Sequence, residues 1–229
     1  GKFVALTHDF NLLASLGVRL VLVHGARPQI EQHLSHNQID DSYHHGIRLT
    51  DAATLQCVKE AVGRVRFEIE ALLSMGLANS PMANADIRVA GGNFITAQPI
   101  GVIHGVDLLH TGSVRKVDVA AIKDRLEFNE VVLLSPLGYS PTGEVFNLTL
   151  EDVATATAIA LDADKLIFLM DTDGVTDKKG ELLHELTIAE ANKVLTSKRA
   201  LSDDVSLFLP CAVRACEAGG TYPPDQPPC

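Results

Sequence analysis

Two short apolar runs set the pattern of this chain, Val131–Leu134 (VVLL) and residues 166–170 (LIFLM). Each is too short for a helix, rich in strand-forming residues and bounded by turn formers, which predicts two buried strands. Between them, residues 151–161 place Val153, Ala156, Ala160 and Leu161 at helical spacing. Thr149 precedes this helix as its expected N-cap, with Asp152 as an imperfect capping-box partner. Strand, helix and strand in this order predict a βαβ unit with parallel strands. Ligands of such sheets sit beyond the carboxyl ends of the strands. Here those ends are residues 135–147 and 171–177.

The rest of the chain alternates in the same way. Residues 8–16 predict a short amphipathic helix closed by Gly17. Residues 18–23 are nearly all apolar and predict a strand buried on both faces. HGARPQI follows, and Pro28 suits the first turn of a helix running to Leu34. Residues 37–50 are polar and predict a solvated loop. The longest helix is expected over residues 50–75, with Leu55, Val58, Val62, Val65, Ile69 and Leu72 on one face and Gly76 at its end. Lys59, Glu60, Arg64, Arg66, Glu68 and Glu70 then form a solvated face. Residues 86–111 are broken by Gly and Pro into short strands and hairpins, an antiparallel flap on the main sheet. Helices are expected over 117–126, 187–195 and 202–217. Thr187 and Glu190 form a capping box in the second, and Asp203 and Asp204 occupy the first turn of the third.

Composition narrows the function classes. At 229 residues and 46% hydrophobic content, the chain can bury a sizeable core in one α/β domain. A formal charge of −10 argues against a nucleic-acid binder built on phosphate contacts. No run reaches the roughly 18 apolar residues a membrane span needs, and no secretory signal opens the chain. Cys57, Cys211, Cys216 and Cys229 lack metal-ligand spacing, which points to a reducing, cytoplasmic setting. The segment 219–229 (GGTYPPDQPPC) is expected to be a disordered tail, leaving 1–218 as the folded domain.

Candidate chemistry is sparse. The turn at Gly25 joins a strand to a helix start, where unpaired amides suit an anion. A lone glycine is more simply the turn itself. His44 and His45 are adjacent and have no acidic or cysteine partner at ligand spacing, so a solvated loop explains them better than a metal. The fork of Arg48 suits a carboxylate, although a surface ion pair explains a lone Arg as well. Gly91, Gly92 and Asn93 read as a turn rather than a phosphate loop. Asp171, Asp173 and Asp177 cluster after an expected strand. They suit magnesium or a nucleotide, and equally a plain Asp/Gly-rich turn. No GxSxG turn is present.

Several separated blocks, in order, carry a family resemblance. VLVHGARPQI, GIRLTD and GEVFNLTLEDVATATAIALDADKLIFLMDTDGV resemble the amino acid kinase fold of acetylglutamate kinases. HGARPQI with GNFITAQPIGVIHGVDLLHTG and SDDVSLFLP resembles the N-terminal domain of bacterial N-acetylglutamate synthases. The resemblance covers about residues 1–218 and implies a three-layer αβα sandwich around a mainly parallel sheet. It further implies a regulatory domain of an enzyme whose separate acetyltransferase domain moves acetyl from acetyl-CoA to glutamate, the first step of arginine synthesis. Arginine is the family's effector, homo-oligomers that are commonly hexamers are its usual assembly, and the cytoplasm is its usual compartment. No cofactor is implied for this chain, and acetyl-CoA is a substrate of the parent enzymes.

By the same resemblance, Gly25, Arg48 and Asn147 match the kinase pocket that holds an acylamino acid. Asp171, Asp173 and Gly174 match a nucleotide-side loop, vestigial here. The kinases' glycine-rich turn is replaced by Gly25, Ala26 and Arg27, so a Cβ and a long side chain fill the space where amides would approach a phosphoryl group. The kinases' Lys-x-Gly-Gly strand has no counterpart here, and DVSLFLP (204–210) has no lysine at the second cationic position. These departures predict a domain that keeps the fold and lacks phosphoryl transfer. The family's first strand, its arginine-site segment and its acetyltransferase domain are not matched, as expected of a truncated or frame-shifted copy. No acetyltransferase activity and little arginine response are expected of the chain alone.

Overall fold

The structure is a computed structural model and describes residues 2–75, 87–172, 174–177, 179–197 and 201–219. Contacts divide the chain into two compact units, residues 1–153 and 154–229. Gly76, Asp173, Cys229 and the expected tail beyond Gly219 lie outside the described residues.

The first unit is built on a parallel sheet of order β1 (Val21–Val23), β9 (Val131–Leu134), β4 (Val89–Ala90). Val21, Leu22 and Val23 pair with Val132, Leu133 and Leu134. Val89 and Ala90 pair with Val131 and Val132. All four β9 residues are at most 2% exposed. A strand buried on both faces reads as a continuous apolar run, and VVLL is one. β1 differs from its expectation. It is short and half-buried because it forms the edge of this sheet, with β9 as its pairing neighbour.

Helices cover the sheet. α1 (Lys2–Ser15) starts earlier than the sequence suggests and ends on Gly17, whose φ of +84° only glycine adopts freely. Gly17 N–H donates to Ala14 O and Val18 N–H to Leu13 O, a Schellman closure. α2 (Arg27–His36) carries its proline in the first turn, as expected. α3 (Ala52–Leu73) is capped by Asp51, which accepts from Thr54 N–H at 2.7 Å. Ala26, Ile30 and Leu34 pack on Cys57, Val58 and Val62 of α3. Full burial of a side chain such as Val58 stabilises by about 2 kcal/mol. Further along α3, Ile69 and Leu73 pack with Leu133 of the central strand. α4 (Val119–Glu127), capped by Asp118, buries Ile122 and Leu126.

The expected flap is a mixed sheet of order β11 (Val145–Asn147), β10 (Leu137–Tyr139), β5 (Ile95–Pro99), β8 (Gly112–Val117). β10 runs antiparallel to β11 and parallel to β5, and β5 runs antiparallel to β8. Gly138 lets these layers close. A Cβ there would lie 2.6 Å from the Ala97 Cβ and 2.9 Å from a Leu148 methyl. Residues 37–50 are not wholly a loop, because β2 (Tyr43–His44) and β3 (Ile47–Arg48) form a hairpin. β6 (Val102–Ile103) and β7 (Val106–Asp107) form a second. Both turn on His-Gly, at His45-Gly46 and His104-Gly105, with positive φ at both residues. That is the mirror-image turn that two-residue hairpins favour.

α5 (Leu150–Leu161) contains the division between the units. Thr149 accepts from Asp152 N–H, the expected cap, while the Asp152 carboxylate accepts from Val114 N–H. In the second unit, residues 166–170 do not form the strand their pattern predicts. Ile167 is 72% exposed and Leu169 62%, and no ladder pairs this segment among the described residues. An apolar run becomes a strand only where a neighbour takes its backbone hydrogen bonds. Phe168 instead stacks on Phe208, ring centroids 4.8 Å apart. α6 (Ile188–Thr196) has the expected Thr187–Glu190 capping box, and α7 (Asp203–Ala218) starts at Ser202 with both aspartates in its first turn.

Candidate functional site

Arg48 ends β3 and sits directly opposite Tyr43 in the hairpin. Its side chain is 9% exposed. Nε and one terminal nitrogen donate to the two Asp41 oxygens at 2.7 and 2.8 Å. The same terminal nitrogen reaches Tyr43 Oη at 2.6 Å, and Glu31 stands at 3.8 Å. The guanidinium also lies over the Tyr43 ring. Two parallel N–H···O bonds use the geometry a ligand carboxylate would use. The fork that the sequence offers to a carboxylate is therefore filled by the chain's own Asp41.

Asn147 is 8% exposed at the end of β11. Its amide donates to Thr50 Oγ1 at 3.1 Å, and the Thr111 and Thr50 hydroxyls are 2.9 Å apart. Thr111 also donates to the Arg48 carbonyl. Asn147 and Arg48 are thus brought together through two buried threonines. Backbone bonds from His110 N–H to Thr50 O and from Asn147 N–H to His110 O fix the same knot.

Gly25 follows β1, as expected. A Cβ there would meet only a Leu150 methyl at 3.6 Å, an ordinary contact, so no close approach requires glycine. Ala26 is buried, and Arg27 turns to Glu31 at 3.0 Å and over Tyr43. Beside Gly25, buried His24 places Nε2 2.8 Å from Ser135 Oγ and Nδ1 3.4 Å from the Gly25 carbonyl. Burial pushes the His24 pKa down, the Gly25 carbonyl works against that, and Arg66 adds to it.

The loop residues belong to the second unit. Asp171 N–H donates to Asp204 Oδ2 at 3.1 Å. Gly174 has φ +127°, and a Cβ there would lie 3.0 Å from a Leu182 methyl. Asp177 accepts from the N–H groups of Lys179 and Glu181, so it shapes a turn. Among the described residues no group of three His, Cys, Asp or Glu side chains is arranged to hold a metal ion. His44, His45 and His104 gather at the two hairpin tips, with nearest ring centroids 4.4 and 4.9 Å apart.

One feature escapes the sequence. Beyond the carboxyl end of β9 lies a cavity of about 180 Å³ in the first unit. Lys59, Gly63 and Arg66 of α3, with Gly92, Ser135 and Tyr139, form its polar wall. The helix face read as merely solvated therefore turns two cations toward a cavity. No spacing rule signals this, because it depends on Gly91. A Cβ there would lie 2.8 Å from an Arg66 terminal nitrogen, so a larger residue at this position would push the guanidinium from where it now lies. No helix among the described residues is long and apolar enough to cross a membrane.

The chain matches the amino acid kinase family over residues 3–222. It is 52% identical over 218 residues to an amino-acid acetyltransferase of Pseudomonas fluorescens, covering 95% of this chain and 50% of that protein. It is 48% identical over 219 residues to the enzyme of the same name from Ralstonia nicotianae, covering 96% and 48%. The chain therefore spans about half the length of the curated relatives it matches. Among solved structures it superposes on N-acetylglutamate synthase from Neisseria gonorrhoeae, complexed with coenzyme A and L-arginine. That match has a TM-score of 0.85 at 35% identity and covers 96% of this chain and 51% of that one. Carbamate kinase from Giardia lamblia shares the fold alone, with a TM-score of 0.65 at 14% identity. The protein belongs to the amino acid kinase family and matches the N-terminal, kinase-like domain of N-acetylglutamate synthase.

Proposed function

We propose that the chain is a regulatory domain, of the arginine-sensing type, of an N-acetylglutamate synthase, and that it performs no group transfer itself. The observation that carries this reading is the occupied fork of Arg48. A kinase-like pocket needs that guanidinium for its substrate, and here Asp41 holds it at 2.7 and 2.8 Å. Ala26 adds to it by placing a buried Cβ in the turn that a phosphoryl group would need, while the Arg27 side chain turns out to Glu31. Asp171 and Gly174 are relics of a nucleotide loop in this reading, and Gly25, Arg48 and Asn147 are relics of an acylamino-acid pocket. The parent enzyme transfers acetyl from acetyl-CoA to L-glutamate in arginine synthesis, assembles as a homo-oligomer and works in the cytoplasm.

A chimera tests this. Residues 1–218 replace the corresponding half of the Pseudomonas fluorescens enzyme, and N-acetylglutamate formation is followed with and without arginine. Formation that arginine suppresses supports the reading, and formation indifferent to arginine overturns it. The second reading, an acetylglutamate kinase-like phosphotransferase, predicts ADP release from Mg-ATP when the chain is given N-acetylglutamate. None is expected.

A further inference from the structure

The cavity beyond β9 has the composition of a binding site rather than of a packing gap. It lies at the carboxyl ends of parallel strands, where sheets of this kind place ligands. Its wall carries two cations, Lys59 and Arg66, and no carboxylate, in a chain whose net charge is −10. Lys59 has no hydrogen-bond or ion-pair partner among the described residues. Arg66 spends Nε on Glu70 at 2.7 Å, and Glu70 is not part of the wall. The rest of its guanidinium is accommodated over Gly91. The aliphatic side of the lining is the half-buried Leu137, with the buried Val62, Ile95, Leu133 and Leu134 behind it.

Each part of the wall selects something. Two cations at one rim favour an anion, and an Arg fork beside a Lys suits a carboxylate. An aliphatic side favours a ligand with a hydrocarbon body over a bare inorganic ion. The missing wall carboxylate leaves an ammonium group without a partner, so a free α-amino acid is disfavoured. We propose that this cavity binds a small monocarboxylic acid, with its carboxylate between Lys59 and Arg66 and its hydrocarbon on the aliphatic side. The site is separate in residues from the Arg48–Asn147 knot and does not depend on the arginine-sensing reading.

The test uses three probes with one skeleton: 4-methylpentanoate, its uncharged amide 4-methylpentanamide, and L-leucine, which adds only the ammonium. Each is titrated into the isotope-labelled chain, and backbone amide shifts of Gly63, Gly92 and Ser135 are followed. The carboxylate is expected to move these three signals, with the amide and leucine about tenfold weaker. Inorganic phosphate is expected to bind more weakly than the carboxylate. Lys59 is exposed, so Lys59→Glu should keep the melting temperature while weakening 4-methylpentanoate by about tenfold. Equal binding of the amide or of leucine overturns the proposal. So does an equal response to phosphate, or shifts centred on Arg48 and Asn147 instead.

Discussion

Asp41 grips Arg48 with both carboxylate oxygens, at 2.7 and 2.8 Å, across the short hairpin that joins α2 to α3. The pair is largely out of water, so each partner depends on the other. Asp41→Ala leaves a guanidinium that is 9% exposed with Tyr43 as its nearest remaining acceptor. A loss of about 2 kcal/mol is expected in a denaturant titration. In the double variant with Arg48→Met the loss should be smaller than the sum of the two singles. Additive losses would show that the pair contributes nothing as a pair.

Asp51 gives a pH dependence of known sign. Its carboxylate is held below the ordinary range, first by the Thr54 N–H and then by the Thr54 hydroxyl. A lowered folded pKa means the cap stabilises above the unfolded value near 3.8 and is lost as pH falls through the lower folded value. Asp51→Ala should cost about 1 kcal/mol at neutral pH. Asp51→Asn should keep most of the cap and lose its acid dependence. Denaturation midpoints between pH 2 and 5 check both.

His24 titrates in a different window. Burial holds its folded pKa below the ordinary value of 6.5, so the unfolded chain takes up a proton first. Its contribution to stability is complete above about pH 6.5 and declines as pH falls toward the folded value. His24→Gln should flatten the stability profile between pH 7 and 5 relative to the parent chain. An unchanged slope would show that His24 does not carry this term.

Gly138 sits against side chains of the mixed sheet with no space for a Cβ. The added methyl of Gly138→Ala would meet Ala97 at 2.6 Å. A loss of about 1–3 kcal/mol is expected, read as a fall in melting temperature. Gly25→Ala, whose Cβ meets only a Leu150 methyl at 3.6 Å, is the control and should change it little.

How much of this could be read beforehand depended on whether the cause was local. VVLL gave its own strand, because four consecutive apolar residues suit burial on two faces. LIFLM carries the same pattern and is no strand here, because pairing belongs to a neighbour rather than to the run itself. Gly17, Asp51 and the Thr187–Glu190 box act within a few residues of themselves, and such signals survive in sequence. The His45-Gly46 turn is a mirror-image hairpin signal hidden in a polar stretch that reads as a loop, whereas the His104-Gly105 turn falls within residues 86–111, where hairpins are expected. Arg48 could be singled out as a carboxylate fork, and its partner seven residues earlier could not, since hairpin register decides who meets it. Lys59 and Arg66 looked solvated because the glycine that makes room for the guanidinium lies twenty-five positions from Arg66 in the chain.

The unpaired run at 166–170 has a practical side. Ile167 and Leu169 face water in an irregular backbone, with Phe168 between them. Proteases bind substrates in extended form and need exposed, unladdered chain to do so. An enzyme that cuts after large hydrophobic residues should find this segment while VVLL, made of the same kinds of residue, stays out of reach. The first fragments of a brief chymotrypsin digest should therefore share an end near Phe168, with the central strand intact.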